Sequence, residues 1–195
     1  MKAINRWVLF VCWATIAFSC SGKLEQKEFV RWVTDYNHEL HVKREVGDLV
    51  FDVQYTPTDY VWLQRTGGKH SVDGKREKQE ISTLQYYTLT LRVKDGTDFM
   101  NVDVQDAAEK QRRLYYFSYQ FQNDITVEDN GQVLPCVLFH SERPADQRHG
   151  RTFVLGFENP IADSQVAKLV ITSEHLGSLP IKIKVSKKNI PSLSI

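Results

Sequence analysis

His140, Glu142, Asp146 and His149 fall within ten residues of one another, just after an apolar run that reads as a strand. Imidazole and carboxylate are the side chains that bind zinc or another divalent ion. This stretch is therefore the best metal candidate in the chain, and a bound ion would make the 140–149 loop the working part of a hydrolase. Arg143 and Arg148 sit among the four donors and Arg151 follows two residues after the last. Three fixed positive charges oppose a dication and pair readily with Glu142 and Asp146, so a salt-bridged loop is the favoured reading. His38-Glu39-Leu40-His41 falls one residue short of the zinc-protease helix motif, which needs histidines at i and i+4 with Glu after the first. Histidines at i and i+3 still share a helix face, but this pair stands at an expected helix end, where the dipole alone favours His.

Cys136 and His140 are the other pair with chemical potential, as nucleophile and base. Four residues of extended strand span about 13 Å, well beyond the hydrogen-bond reach of such a dyad. A structural thiol beside Pro135 is the alternative, because free cysteine behaves as a small hydrophobe. The sequence has no GxSxG elbow, no phosphate-binding glycine loop and no HExxH. No cofactor is implied. Aromatic side chains offer a different chemistry, the stacking of sugar rings on flat faces. Tyr115, Phe117, Tyr119 and Phe121 share one face if the run is a strand, and so read as core. Tyr116 points the other way and, with Trp62, Tyr60 and Tyr86, is the candidate glycan-binding aromatic. Lys182, Lys184, Lys187 and Lys188 fit a solvated strand guarded against edge-to-edge pairing.

These residues must be positioned by elements readable from hydrophobic period. Phe29, Val33, Tyr36 and Leu40 recur at helical spacing, predicting a helix near 25–40. Leu49, Phe51, Val53 and Tyr55 switch to period two, giving a strand with one buried face that ends at Pro57-Thr58-Asp59. Gln64 to Glu80 is a loop or a short solvated helix. Tyr87, Leu89, Leu91 and Val93 form a strand turned by Asp95-Gly96, and Asp103 to Arg113 has the composition of a surface helix. A strand over 115–121 follows, then a hairpin over 125–139 around Asn130-Gly131, a pair suited to the positive φ of a type I′ turn. Phe153, Leu155 and Phe157, then Ala167, Leu169 and Ile171, then Ile181, Ile183 and Val185 complete the strands. Their spacing predicts a mostly β fold, an immunoglobulin-like antiparallel β-sandwich with an N-terminal helix and one or two short surface helices. Phe117, Tyr119, Phe121, Phe153, Leu155, Phe157, Ile181 and Ile183 are its expected core.

The N-terminus fixes where such a domain would live. Lys2 and Arg6 precede the charge-free apolar run Trp7 to Phe18, and Ala17-Phe18-Ser19 leads to Cys20. Basic, apolar and small residues in that order read as a secretory signal, and twelve apolar residues are too few to span a bilayer. The junction resembles the lipobox of bacterial lipoproteins, with Ala17 where leucine is usual. That resemblance implies cleavage before Cys20 and acylation of its thiol and new amine. Expected boundaries are a signal peptide over 1–19, a lipidated tether over 20–26 and one domain over 27–195.

Without Lys2 and Arg6 the charged side chains number 23 basic against 24 acidic, from 25 and 24 in the whole chain. That balance gives no electrostatic case for nucleic acid. Cys136 would be the sole ordinary thiol of the mature chain, so no intramolecular disulfide is expected. The runs FVRWVTDYNHEL, VQYTPTDY, LYYFSYQFQNDI, LPCVLFHSERP, FVLGFE and IKVSKKNIPSL, in that order, resemble a set of uncharacterised lipoproteins of Bacteroidota. The resemblance supports the envelope assignment and implies no particular activity; the expected location is a lipid anchor in the outer membrane, on either its periplasmic or its surface face. The expected role is a non-catalytic binding or structural module meeting an envelope protein or glycan; its rivals are the glycan-binding domain and the metal-dependent hydrolase. Two or three acyl chains hold a protein on a membrane far more firmly than one. Cys20→Ala should therefore move the protein from membrane to soluble fractions or leave it uncleaved; a mutant that fractionates and migrates as wild type does would exclude lipidation.

Overall fold

A computed structural model describes residues 22–68, 74–142, 150–160 and 164–194. The expected signal peptide, Cys20, Arg143, Asp146, Arg148 and His149 lie outside the described residues. Within the expected tether, Lys23–Leu24 forms a short strand, β1, which pairs in parallel with β10, Ser192–Leu193. Helix α1 follows at Gln26–Thr34. It is shorter than its hydrophobic spacing predicts, because the Asp35 carboxylate accepts from both the backbone and the side-chain amide of Asn37, each at 2.9 Å. Such a local turn competes with helix continuation. Phe29 and Val33 are buried from the helix and Leu40 from the turn beyond it, while Tyr36 is 66% exposed.

Strands β2 (His41–Val46) and β3 (Leu49–Thr56) make a hairpin, and helices α2 (Thr58–Thr66) and α3 (Gly74–Ile81) lead to β4 (Leu84–Val93). Helix α4 (Ala107–Tyr115) precedes the hairpin of β5 (Ile125–Asp129) and β6 (Gln132–Ser141), with Asn130 and Gly131 at φ of 46° and 77° as a type I′ turn requires. Strands β7 (Arg151–Glu158), β8 (Val166–Ile171) and β9 (Ile181–Ser186) complete the sheet. Its order is β2-β3-β4-β7-β6-β5-β8-β9, antiparallel throughout.

The mostly β, antiparallel sandwich expected from the sequence is what forms, with its two layers continuous through β6. Residues Gln132–Pro135 of β6 pair with β5 and Cys136–Ser141 pair with β7, with a bulge between Cys136 and Leu138. A bulge bends its strand, and here it folds one half of the sheet over the other. The far edges approach as well, since Arg44 of β2 donates to the Lys182 carbonyl of β9. The result is a sandwich closing toward a barrel.

The interior holds the inward residues of β4, β7, β8 and β9, as their alternation predicts. The segment 115–121 is a correction. It is helical, a π turn at Tyr116–Gln120 continuing α4 and a 3₁₀ turn at Phe121–Asp124. Phe117 and Phe121 are fully buried as expected, but Tyr119 is 66% exposed. Four-residue spacing satisfies the helical period as well as period two, and α4 decides between them. Its N-cap Asp106 accepts from the Glu109 amide at 2.7 Å, and Glu109 reaches back to the Gln105 amide at 2.7 Å, a reciprocal cap that launches the helix. Phe117 and Phe121 then plug one end of the barrel, edge to face with Phe99 at 4.8 Å and Phe153 at 5.1 Å.

The other end is closed by polar groups. Lys187, expected to be solvated, lies under cover and donates to the buried Asp129 carboxylate at 2.6 Å, with its ammonium 5.7 Å from the Tyr55 ring centroid. Gln85 accepts from Lys187 and from the Tyr87 hydroxyl, whose pKa burial pushes up. Outside the sheet, α1, α2 and the turn after α1 bury a second apolar cluster containing Trp62, Tyr86 and Leu193. The Tyr36 hydroxyl of that turn donates to Asp52 at 3.3 Å, and Asp52 is buried although the alternation of β3 places it on a solvated face. Removing one member of a buried ion pair strands the other, at about 3–5 kcal/mol. Asp129→Ala should lose about that much in urea unfolding, and Asp129→Leu combined with Lys187→Met should recover most of it.

Candidate binding cleft

Helix α4 and its π turn pack across the ends of β6 and β7 and leave a cleft of about 1220 Å³ between them. One wall is helical. Leu114, Tyr115 and Tyr119 are exposed on it, the two tyrosine rings with centroids 5.4 Å apart and planes inclined by 46°. Gln111, Arg112, Ser118 and Gln122 stand around them. The opposite wall is Phe139, His140, Ser141 and Glu142 of β6 and the segment following it, with Arg151 of β7; Met100 lies at the base.

The tyrosine wall is held from beneath. The π turn, in which the Phe121 amide bonds to the Tyr116 carbonyl, is pinned through Tyr116, whose hydroxyl bonds to Asp124 and Ser173 and whose ring lies 4.2 Å from that of His175. Burial first, and then the Asp124 carboxylate, push the Tyr116 pKa up, so the phenol keeps its proton. One turn earlier the buried Arg113 donates to the Phe99 carbonyl at 3.2 Å, its guanidinium 4.8 Å and 4.9 Å from the Phe99 and Phe117 ring centroids. Burial lowers its pKa from the ordinary arginine value. π turns recur at functional sites, and this one displays two aromatic faces on a fixed backbone.

On the other wall, Phe139 stacks on Phe153 at 5.6 Å, and the Glu142 amide continues the ladder to the Thr152 carbonyl at 2.9 Å. Arg151 is largely buried and lies 3.5 Å from Asp98.

Of the four metal candidates, His140 and Glu142 are therefore both exposed on the cleft rim, and Asp146 and His149 lie outside the described residues. Among the described residues no three His, Cys, Asp or Glu side chains are grouped to hold a metal ion. His38 and His41 do not share a helix face. His38 donates from Nδ1 to the Trp32 carbonyl at 2.7 Å and His41 from Nε2 to the Val33 carbonyl at 3.0 Å, so both nitrogens serve the end of α1. Trp62 and Tyr86 are buried under the helices, and Tyr60 and Tyr116 are half-buried. The exposed aromatic pair is Tyr115 and Tyr119, which reading 115–121 as a strand assigns to the core. The usable signal is the Asp106/Glu109 cap, which lets helical spacing run on into 115–121.

No protein-family model matches the chain, and no curated protein matches it. Two solved structures are similar at low identity. A Burkholderia pseudomallei protein described as a novel protein of unknown function shares 9% identity at a TM-score of 0.38, over 84% of this chain and 86% of that one. A DUF4426 family protein of Pseudomonas aeruginosa shares 11% identity at a TM-score of 0.35, over 76% of this chain and 94% of that one.

Cys136 sits at the β6 bulge, its thiol 3.1 Å from the Leu138 carbonyl, and burial pushes its pKa up to about 11. Only thiolate is nucleophilic, and the higher basicity of a high-pKa thiolate recovers just part of its lost population. Cys136 should therefore react with iodoacetamide at pH 7.5 at least about tenfold more slowly than an unhindered thiol; a rate equal to that of free cysteine would contradict this environment.

Proposed function

We propose that this chain is a lipid-anchored envelope protein acting as a non-catalytic binding module, with the cleft between α4 and β6–β7 as its working site. The anchor is supported by the basic, apolar and small residues leading to Cys20. The binding role is carried by the Tyr115–Tyr119 pair, large aromatic faces left open toward a cleft while the backbone beneath them is fixed by Arg113, Tyr116 and Phe117. Preorganised walls lower the ordering cost of binding. Among the described residues the cleft presents two potential metal donors, His140 and Glu142, with Arg151 beside them and Arg112 on the helical wall, a set better suited to orienting a ligand by hydrogen bonds than to gathering a dication.

A glycan is the ligand class that this lining favours. Sugar rings present apolar faces for Tyr115 and Tyr119 and equatorial hydroxyls for planar amides and guanidinium, which Gln111, Gln122 and Arg112 supply. Envelope glycan fragments titrated against the mature domain should bind. Tyr115→Ala and Tyr119→Ala should each weaken binding about three- to tenfold, consistent with about 0.5–1.5 kcal/mol per aromatic contact, without loss of thermal stability because both side chains are exposed. Metal-dependent hydrolysis by the purified protein, abolished by His140→Ala, would replace this reading with the hydrolase.

A further inference from the structure

The pairing of β1 sets a limit on how far the fold can stand from an anchor at Cys20. Only Ser21 and Gly22 separate Cys20 from Lys23, whose Cα partner in β10 is Ser192. Three residue steps of extended chain reach about 11 Å at most, and the headgroup layer on one side of a bilayer is itself about 5–8 Å thick. From Lys23 onward there is no slack. Leu24 pairs with Leu193, the Ser194 amide donates to the Leu24 carbonyl at 2.7 Å, and the Leu193 amide donates to Asp59 of α2 at 3.4 Å. Leu193 is buried and Leu24 packs against the same outer cluster, so β1 is part of the fold.

We infer that the domain is held in one orientation on the bilayer, with β1 and the outer ridge of α1 against the phospholipid headgroups and the cleft held away from them; this rests on lipidation of Cys20. The ridge opposite the buried Phe29 and Val33 carries Lys27, Val30, Arg31 and Thr34, all exposed and at helical spacing. Lys27 and Arg31 stand one turn apart, and among the described residues neither is in an ion pair. With Lys23 they offer three cations to phosphate groups, against Glu25, Glu28 and, one turn beyond Arg31, Asp35. Cations held within a Debye length of anionic headgroups are attracted to them.

The cleft lies toward the strand ends opposite β1, although α1 runs along the sheet until its Val33 carbonyl accepts from Gln54, which is level across β4 and β7 with His140; there three strand spacings of about 4.8 Å separate α1 from the cleft. Leu84, at the start of β4, packs with the α1–α2 cluster, whereas Leu91 pairs with Arg151 at the cleft. Seven residue steps of strand separate the two, about 23 Å.

The test uses the lipidated full chain in phosphatidylethanolamine/phosphatidylglycerol vesicles that contain a headgroup-nitroxide lipid. A fluorophore is placed at Val30→Cys or at Tyr119→Cys. Quenching at position 30 should exceed that at 119 at least threefold. A sixteen-residue Gly/Ser insertion between Gly22 and Lys23 should leave the protein on the vesicles but cut the quenching at position 30 at least twofold. Equal quenching at the two sites in a protein that floats with the vesicles would overturn the orientation. A protein that fails to float, and behaves as Cys20→Ala does, would instead remove the anchor, a separate result that takes this inference with it.

Discussion

A sheet of eight strands that curls until its edges meet, without a ladder joining β2 to β9, leaves two ends to be closed. Those closures set the rest of the structure. One end receives aromatic rings delivered by a helix, Phe117 and Phe121 against Phe99 and Phe153. Burial of each such side chain contributes about 1.5–3 kcal/mol, with a further 0.5–1.5 for favourable ring geometry. The same helical turn that buries Phe117 and Phe121 must turn Tyr115 and Tyr119 outward, since side chains four apart share a face. The cleft wall is thus the outer side of the plug.

The opposite end is closed by charge. Asp129 comes from the end of β5 and Lys187 from just beyond β9, with Gln85 of β4 bridging toward Tyr87. Desolvating two charges is costly, and such a pair adds little net stability over apolar residues of similar size. Its effect is positional: only with β5, β9 and β4 in register do these groups meet. Apolar packing stabilises one end and polar geometry specifies the other. The bulge in β6 links them by letting one strand serve both halves of the sheet. There the approach is close enough that a Cβ on Gly156 would come within 2.9 Å of the Leu138 Cβ.

Much of the fold was readable because period two is unambiguous when apolar and polar residues alternate cleanly. Leu89 and Leu91, Phe153 to Phe157, and Ile181 to Val185 all face inward as their spacing requires. The reading failed where one spacing satisfied two periods: Phe117 and Phe121 are buried in either case, but only the helix exposes Tyr119. Burial on the outer face was likewise hidden. Nothing in the alternation of β3 or the sequence of α2 announces that Trp62 and Tyr86 are buried in a second cluster outside the sheet, or that Tyr36 reaches Asp52. Lys187 follows the solvated Lys182 and Lys184 in sequence, yet it has left the strand and turned in. The cleft is half legible: the side-chain types of His140 and Glu142 mark them, whereas period-two alternation sends the tyrosines opposite them to the core.

The parallel pairing of β1 with β10 also bears on the order in which the chain assembles. Lys23 meets Ser192, a partner 169 residues farther along. A chain emerging from its N-terminus therefore exposes Lys23 and Leu24 first and finds their partners late. Contacts of that sequence separation are slow to form because the loop entropy falls due before the contact rewards it. Until Ser192 and Leu193 arrive, Leu24 and the α1 face that packs beside it have an incomplete apolar surface to cover. Lys23 and Leu24 are then among the last residues to become ordered, after the sheet behind them has folded.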